Sequence, residues 1–388
     1  MMRVLHLLKT AVGASWALRQ TKELVALGVE VHLAAPPGPM LEKYQQAGVT
    51  VHVFDASITF KKPWKNFSKA KEFRQLLDKV QPDLVHSHFV ATSLLMRFAM
   101  RGSSIPKIFH VPGPLHLEHS LFRELDLKTS NAKDYWLASC IWTQNKYQSH
   151  GIDASRVGLA YYGVDEVDFV KPEPKEPKED LREALAMKED APLIAMVAYF
   201  YPPKAYLGQK RGLKGHEDLI DAMKVIADEF PDARCVFVGG PWGDSQKYYD
   251  QVQAYARNVG ADNCVFLGFR SDVPSLYPQF DLAVHPSHSE NVGGAVESMY
   301  AKVVTVTTDV GGFVDLVSDD VTGYLAKPHS PESLAAKLKQ ALSSSDEKKQ
   351  DMIDKAFDKV TAVMNVKDNA KQVLDFYHHV LQLEKADD

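Results

Sequence analysis

The sequence predicts an α/β protein built on two parallel sheets. Short apolar runs alternate with amphipathic helical patterns along most of the 388 residues, and a proline-rich, charged stretch divides the alternation into two series. Apolar residues make up 45% of the chain, enough for two sizeable cores, and the length fits two or three domains.

In the first series, Val4–Leu8, Val29–Ala34, Val49–Phe54, Leu84–His86, Lys107–Val111, Tyr135–Ser139 and Val157–Tyr161 read as strands. Between them, Ala14–Leu27, Lys65–Val80 and Thr92–Arg101 carry the 3.6-residue period of helices that cover a sheet. The stretch from Lys171 to Asp180 alternates proline with charge. It cannot pair in a sheet and reads as an extended linker. Beyond it, Leu193–Ala198, Cys235–Gly239, Cys264–Leu267, Leu282–His285 and Val303–Thr307 read as strands, and His216–Phe230, Lys247–Val259, Val292–Ala301 and Pro331–Ser343 as helices. From Val366 to Glu384, Val373, Leu374, Phe376, Tyr377, Val380 and Leu381 form one apolar stripe of a final helix. Two Rossmann-like halves joined by one linker is the economical reading.

Composition excludes several classes. A formal charge of −5 offers no overall attraction to nucleic acid or anionic lipid. Cys140, Cys235 and Cys264 are too few and scattered for a disulfide framework or a zinc site, and their apolar settings predict buried thiols. The chain opens on a short strand pattern without a secretory apolar region, and no run of ~18 apolar residues predicts a membrane span, so a cytoplasmic location is expected. No Gly-x-Gly-x-x-Gly fingerprint occurs, which argues against a dinucleotide oxidoreductase.

The most informative segment is Ser287–Glu297, which follows the apolar run Asp281–His285. Glu290 and Glu297 flank the pair Gly293-Gly294 where a helix is expected to begin. The first helical turn leaves N–H groups unpaired and stabilises phosphate, while a carboxylate inside the helix accepts bonds from hydroxyls. Phosphate and polyol recognised side by side suggest a nucleotide-sugar. A solvated loop acid beside a helix-face acid is the alternative.

This segment resembles the paired-glutamate signature of the retaining glycosyltransferases of family 4, whose fold is GT-B: two Rossmann-like domains facing an interdomain cleft. The six residues between Glu290 and Glu297 are one fewer than the family's usual spacing. The resemblance implies that Glu297 takes the ribose hydroxyls, that Glu290 orients the transferred sugar, and that the backbone of Asn291, Val292, Gly293 and Gly294 approaches the phosphate. It also implies an acceptor-binding domain over 1–170, a linker over 171–180, a donor-binding domain over 181–365, and a terminal helix, 366–388, that packs back on the first domain.

A departing nucleoside diphosphate needs its charge offset. The chain has no Asp-x-Asp triplet to hold a metal, so no metal and no cofactor are expected, and lysine, arginine and helix termini take that role. Lys214-Gly215 resembles the family's Lys-Gly pair. Tyr199 stands where the family's partner arginine is usual, and the longer loop that follows supplies Lys204, Lys210 and Arg211. Arg211 and Lys214 are the expected diphosphate clamp. Gly239-Gly240 resembles the glycine turn beside the nucleotide, and Gly268-Phe269-Arg270 the segment framing the base, with Arg270 positioned to stack on it.

In the first half, Gly13 opens a helix as the family's glycine loop does. His86 and His88 could ligate a metal in isolation, but no third ligand has suitable spacing, so they read as histidines of the cleft wall. In the turn Val111-Pro112-Gly113-Pro114, Pro112 occupies the place where the family often carries a sugar-contacting histidine. His116 is favoured for that role and His110 is the alternative. Tyr162 stands where asparagine is common. Residues 60–71 interleave five lysines with three aromatics, a pattern suited to an anionic membrane surface, with a solvated lysine-rich face as the alternative.

The resemblance therefore implies a metal-independent, retaining transferase that uses a UDP-sugar, or next a GDP-sugar, and a glycan or lipid-linked acceptor. It would act in surface polysaccharide biosynthesis and touch no nucleic acid. A catalytically lapsed nucleotide-sugar-binding protein and a UDP-sugar 2-epimerase on the same fold are the alternatives.

Overall fold

The computed structural model describes residues 1–111, 113–165 and 179–387. Pro112 and most of the expected linker, 171–178, lie outside them. The chain divides into two compact units, residues 1–165 with 364–388, and residues 166–363.

The first unit holds one seven-stranded parallel sheet. Its strands are β1 (Arg3–Leu7), β2 (Glu30–Ala35), β3 (Thr50–Val53), β4 (Leu84–Ser87), β5 (Lys107–Val111), β6 (Asp134–Ala138) and β7 (Val157–Leu159), in the order β3-β2-β1-β4-β5-β6-β7. The interior strands β4, β5 and β6 are buried along their whole length, as expected when helices cover both faces of a parallel sheet. The terminal helix Val366–Asp387 seats Ala370, Val373, Tyr377 and Val380 in the core that also takes Leu24 of the helix Ser15–Ala26. Gly158 makes room for that helix, because a Cβ there would lie 2.6 Å from the Phe376 ring.

The second unit holds β8 (Leu193–Val197), β9 (Arg234–Val238), β10 (Cys264–Gly268), β11 (Leu282–His285), β12 (Val304–Thr308) and β13 (Tyr324–Ala326), all parallel, in the order β10-β9-β8-β11-β12-β13. In each unit the chain starts at a central strand, runs outward, then returns to the other side. The switch points lie between β1 and β4 and between β8 and β11, and ligands of open α/β sheets bind beyond the strand ends at such points.

Strand and helix bounds mostly fall within a few residues of those expected. The strand β13, the helices Leu41–Gln46, Ser120–Thr129, Ile141–Ser149 and Asp346–Met364, and several one-turn helices are additional to those expected. β13 is only three residues long, too short to show alternation. The helix Asp346–Met364 buries a sparse stripe, Met352, Ala356, Val360 and Met364, diluted by charge. The helix expected from Val292 begins at Ala295, because Gly293 takes a φ of +43° and holds the preceding residues in a loop. Cys140 and Cys235 are buried as expected, whereas Cys264 is half-buried on the outer strand β10. Among the described residues no helix is long and apolar enough to cross a membrane.

Candidate functional site

At the C-terminal ends of β8, β9 and β10, the second unit opens into a cavity of about 380 Å³. Val197, Ala198 and Tyr199 line it from β8, Val238 and Gly239 from β9, and Phe269 and Arg270 from beyond β10. Lys214, Gly294, Glu297 and Tyr277 close the remaining sides. This is the ligand position at the switch point of the sheet.

Lys214 reaches the cavity because Gly215 lets two loops touch. Gly215 has a φ of +76°, and a Cβ there would lie 2.0 Å from the Pro286 carbonyl oxygen. The His288 amide donates to the Leu213 carbonyl at 2.8 Å across the same junction. The Lys214 ammonium is thereby delivered to Glu290, with which it forms an ion pair. The other Glu290 oxygen accepts the Asn291 amide at 3.1 Å. A Cβ on Gly293 would sit 2.8 Å from the Glu290 carboxyl carbon, so a glycine is required under this carboxylate. Gly294 abuts the His285 ring in the same way, at 2.7 Å.

Glu297 projects from the first turn of the six-residue helix Ala295–Tyr300 into the cavity. Its carboxylate accepts the Tyr277 hydroxyl at 3.2 Å. Burial, then the Glu297 charge, push the Tyr277 phenol well above its ordinary value, so it remains a donor. So short a helix carries little macrodipole, and Lys214 is the formal charge best placed for an anion. Val292 turns its side chain into the protein and offers only backbone, while the Asn291 side-chain oxygen finds no partner among the described residues.

Three expected donor residues need correction. Arg211 is not among the cavity-lining residues. Its guanidinium is held by Asp218 at 2.5 Å, Asp221 at 2.7 Å and the Tyr255 hydroxyl at 3.1 Å, so its charge is already neutralised. Arg270 lines the cavity, but Asp272 grips its guanidinium at 2.8 and 2.7 Å and Glu179 takes a further N–H at 2.8 Å, which opposes a free stacking role. Phe269, 69% exposed, is the flat side chain available there. In the glycine turn the close approach belongs to Gly239 rather than Gly240: at φ +142°, a Gly239 Cβ would lie 2.0 Å from the Ala198 carbonyl oxygen. Phe269 falls in the segment expected to frame the base, where the sequence points to its neighbour Arg270, and Tyr277 carries no sequence signal because no local spacing links it to the glutamates.

In the first unit Gly13 turns the loop after β1 at φ +68° and is exposed. His86, His88 and His110 do not line an open wall; all are fully buried with His6. Tyr162 hydroxyl, His88, His6, Tyr377 hydroxyl and His86 form a continuous hydrogen-bonded chain with steps of 3.1, 2.9, 3.3 and 2.5 Å. Burial lowers all four histidines, His6 and His110 to about 3, so the rings are neutral at neutral pH. The missing third ligand for His86 and His88 is present in space: His6, from the neighbouring strand β1, brings three ring nitrogens within 4.8 Å of one another. His116 is likewise buried. Its ring bonds the Tyr147 hydroxyl at 3.0 Å beside Asp126, which Arg97 holds at 2.7 Å, so it belongs to a buried ionic cluster rather than to a sugar contact.

The sequences of both units have counterparts in known families. Residues 177–359 match the model of glycosyl transferases group 1, and residues 14–167 match that of Glycosyltransferase Family 4. The chain belongs to the group 1, family 4-type glycosyltransferases.

Among relatives of this glycosyltransferase, the lipopolysaccharide 1,2-N-acetylglucosaminetransferase of Salmonella typhimurium is 28% identical over 191 residues, 47% of each chain, so the match spans about half of that relative. The putative glycosyltransferase EpsD of Bacillus subtilis is 25% identical over 82% of this chain and 87% of its own. An Escherichia coli UDP-Gal:alpha-D-GlcNAc-diphosphoundecaprenol alpha-1,3-galactosyltransferase is 23% identical over 81% of each. Among solved structures, Anabaena HepE in complexes with UDP and with UDP-glucose superposes with a TM-score of 0.77 at 20% identity, over 97% of this chain and 99% of that one. Two parallel sheets wrapped in helices, with this likeness across the whole chain, make the fold GT-B.

Proposed function

We propose that the protein transfers a sugar from a nucleoside diphosphate sugar, with UDP favoured over GDP as carrier, to a glycan or lipid-linked acceptor. Transfer proceeds with retention at the anomeric carbon and without a metal. The observation that carries this reading is that Lys214 and Glu297 both line the switch-point cavity of the second unit, with Glu290 behind them in an ion pair with Lys214. Glu297, oriented by Tyr277, accepts the ribose hydroxyls. The diphosphate lies against Lys214 and the backbone of Gly293 and Gly294. Glu290, anchored by the Asn291 amide, exchanges its ion pair with Lys214 for a sugar hydroxyl when the donor enters. As the glycosidic bond breaks, negative charge grows on the leaving diphosphate and Lys214 stabilises it. The acceptor hydroxyl attacks on the same face and passes its proton to the departing phosphate oxygen.

The relatives' names, which include a UDP-Gal donor and lipopolysaccharide or lipid-linked acceptors, support this donor class and a role in surface polysaccharide assembly. An acceptor held on lipid fits the exposed patch over residues 60–71, which would bring the enzyme to the inner face of the membrane. There Phe60, Trp64 and Phe67 are each about two-thirds exposed among Lys61, Lys62, Lys65 and Lys71.

The test is calorimetric titration of UDP, GDP and ADP in chelator, with the wild type and Glu297→Ala. UDP binding that the substitution weakens by about 1–3 kcal/mol is expected. Absence of nucleotide binding overturns the reading. The occupied Arg211 and the tyrosine at 199 favour one second reading, a nucleotide-sugar-binding protein without turnover. Intact UDP binding with no donor consumption across an acceptor panel would select it.

A further inference from the structure

Behind the loop that carries Glu290, three side chains from separate segments converge. Asp218 comes from the helix His216–Ile226, His288 from the loop after β11, and His329 from the loop after β13. One ligand atom from each lies within 4.8 Å of the other two. The His288 Nε2 is 2.6 Å from Asp218 Oδ2, and the two imidazole rings are 3.8 Å apart. None of the three lines the donor cavity.

We propose that Asp218, His288 and His329 bind one divalent transition-metal ion of the zinc type. Two imidazoles and a carboxylate are the donor set that zinc and its neighbours take, whereas calcium and magnesium require oxygen ligands throughout. The ion displaces the proton between His288 Nε2 and Asp218 Oδ2, the two atoms moving apart from 2.6 Å to about 3.3 Å to take zinc–ligand bonds of about 2.0–2.1 Å, and His329 closes the third position. A fourth position faces water.

The surroundings fit such a site. Asp218 is buried and its other oxygen is fixed by Arg211, which Asp221 and Tyr255 hold in turn, so the carboxylate is oriented from outside in the way metal-binding carboxylates are. His288 is half-buried and His329 exposed, which gives an ion a path from solvent. His329 holds a φ of +57°, an uncommon conformation for a residue other than glycine, and in it the ring lies against His288. The buried His6, His86 and His88 are a poorer home for a dication. They have no carboxylate among them, and of their six ring nitrogens all but the His86 Nε2 are engaged in the chain of tyrosine and histidine bonds.

The consequence reaches the donor site. His288 stands two residues before Glu290, and its amide is bonded to Leu213, next to Lys214. A bound ion therefore cross-links the loop of Glu290 to the helix of Asp218 and to the loop after β13, and restricts the exchange of partners at Lys214 that donor binding requires. The proposed ion acts as a regulator outside the reaction, and its binding does not depend on glycosyl transfer.

The test uses the full chain stripped of metal. Cobalt(II) is titrated while its visible d–d absorption reports tetrahedral nitrogen and oxygen ligands, and zinc(II) is titrated against a chromophoric chelator. One ion per chain is expected. His329→Ala, an exposed substitution, should weaken binding by about tenfold or more, since losing a ligand costs at least as much as losing an outer partner. Zinc should raise the thermal midpoint of the wild type, and that of His329→Ala by clearly less at the same zinc concentration. Absence of cobalt absorption and of zinc binding overturns the proposal. So does equal affinity in wild type and His329→Ala, a result that would move the ion to His6, His86 and His88.

Discussion

Lys214 and Glu290, 76 residues apart in sequence, form an ion pair at the edge of the donor cavity. The pair joins the loop before the helix His216–Ile226 to the loop after β11, where the proposed function puts the diphosphate and the sugar. In the proposed reaction this contact orients the lysine before the donor arrives.

Lys214→Met should weaken UDP binding by about 1.5–3 kcal/mol, the scale of a hydrogen bond to a charged group. Glu290→Gln should act in the opposite sense on binding, because it releases the ammonium for the phosphates; UDP affinity is unchanged or higher while donor consumption falls. Calorimetry on both variants separates the two effects. Equal UDP affinity in Lys214→Met and wild type would remove the lysine from the diphosphate site.

Tyr277 tests how Glu297 is aimed. Tyr277→Phe deletes only the hydroxyl that donates to the carboxylate, and the ring stays packed against Phe280. A loss of about 1 kcal/mol in UDP affinity is expected, close to the net worth of one hydrogen bond. The change should vanish in a Glu297→Ala background, because the two residues act through one contact. An additive effect in the double variant would show that Tyr277 touches the nucleotide separately.

The fold was legible because parallel strands buried on both faces are written as continuous apolar runs, such as Leu282–His285, and linking helices keep their period. The Lys214-Gly215 and Glu290–Glu297 segments were legible because each serves one local geometry: a glycine under a close backbone approach, or a carboxylate at the start of a helix. What stayed hidden depends on pairings between distant segments. Arg211 lies in a basic loop and looks free until Asp218 and Asp221 turn out to face it. His6 joins His86 because β1 lies beside β4, with the two histidines in register, which no spacing in the chain displays. His116 looks like a turn residue aimed at a cleft, yet Tyr147 and Asp126 draw it inward.

The histidine core of the first unit predicts an acid-sensitive fold. Burial lowers His6 and His110 from the ordinary 6.5 to about 3. Between these values the unfolded chain binds protons that the folded chain refuses. Stability is therefore fully present above pH 6.5 and falls as the pH drops toward 3, by up to about 1.4 kcal/mol per pH unit for each such histidine. Denaturant midpoints measured from pH 7.5 to 4.5 should fall below about pH 6.5, and His110→Phe should flatten the slope by one proton. An unchanged slope in that variant would mean the ring accepts a proton within the folded state.

The segment over residues 60–71 exposes both aromatic and cationic side chains. The helix Lys65–Val80 turns Ala70, Phe73 and Leu77 into the core and leaves Phe67 exposed, its ring edge-to-face with Phe98, while Trp64 and Phe60 are exposed before the helix. Lys69 is committed to Asp55 and the Ser57 carbonyl, so the cations available to a surface are Lys61, Lys62, Lys65 and Lys71. Each is worth about 1 kcal/mol beside an anionic leaflet, and the aromatic rings favour the interface itself. The full chain should sediment with vesicles rich in phosphatidylglycerol and far less with zwitterionic ones. Replacing the four lysines by glutamine should abolish the preference for anionic lipid, while Trp64→Ser with Phe67→Ser should weaken binding even at high salt, where the charge contribution is screened. UDP affinity, set in the other unit, should stay the same in both variants. Equal sedimentation of wild type and both variants would mean that this face is an ordinary solvated surface.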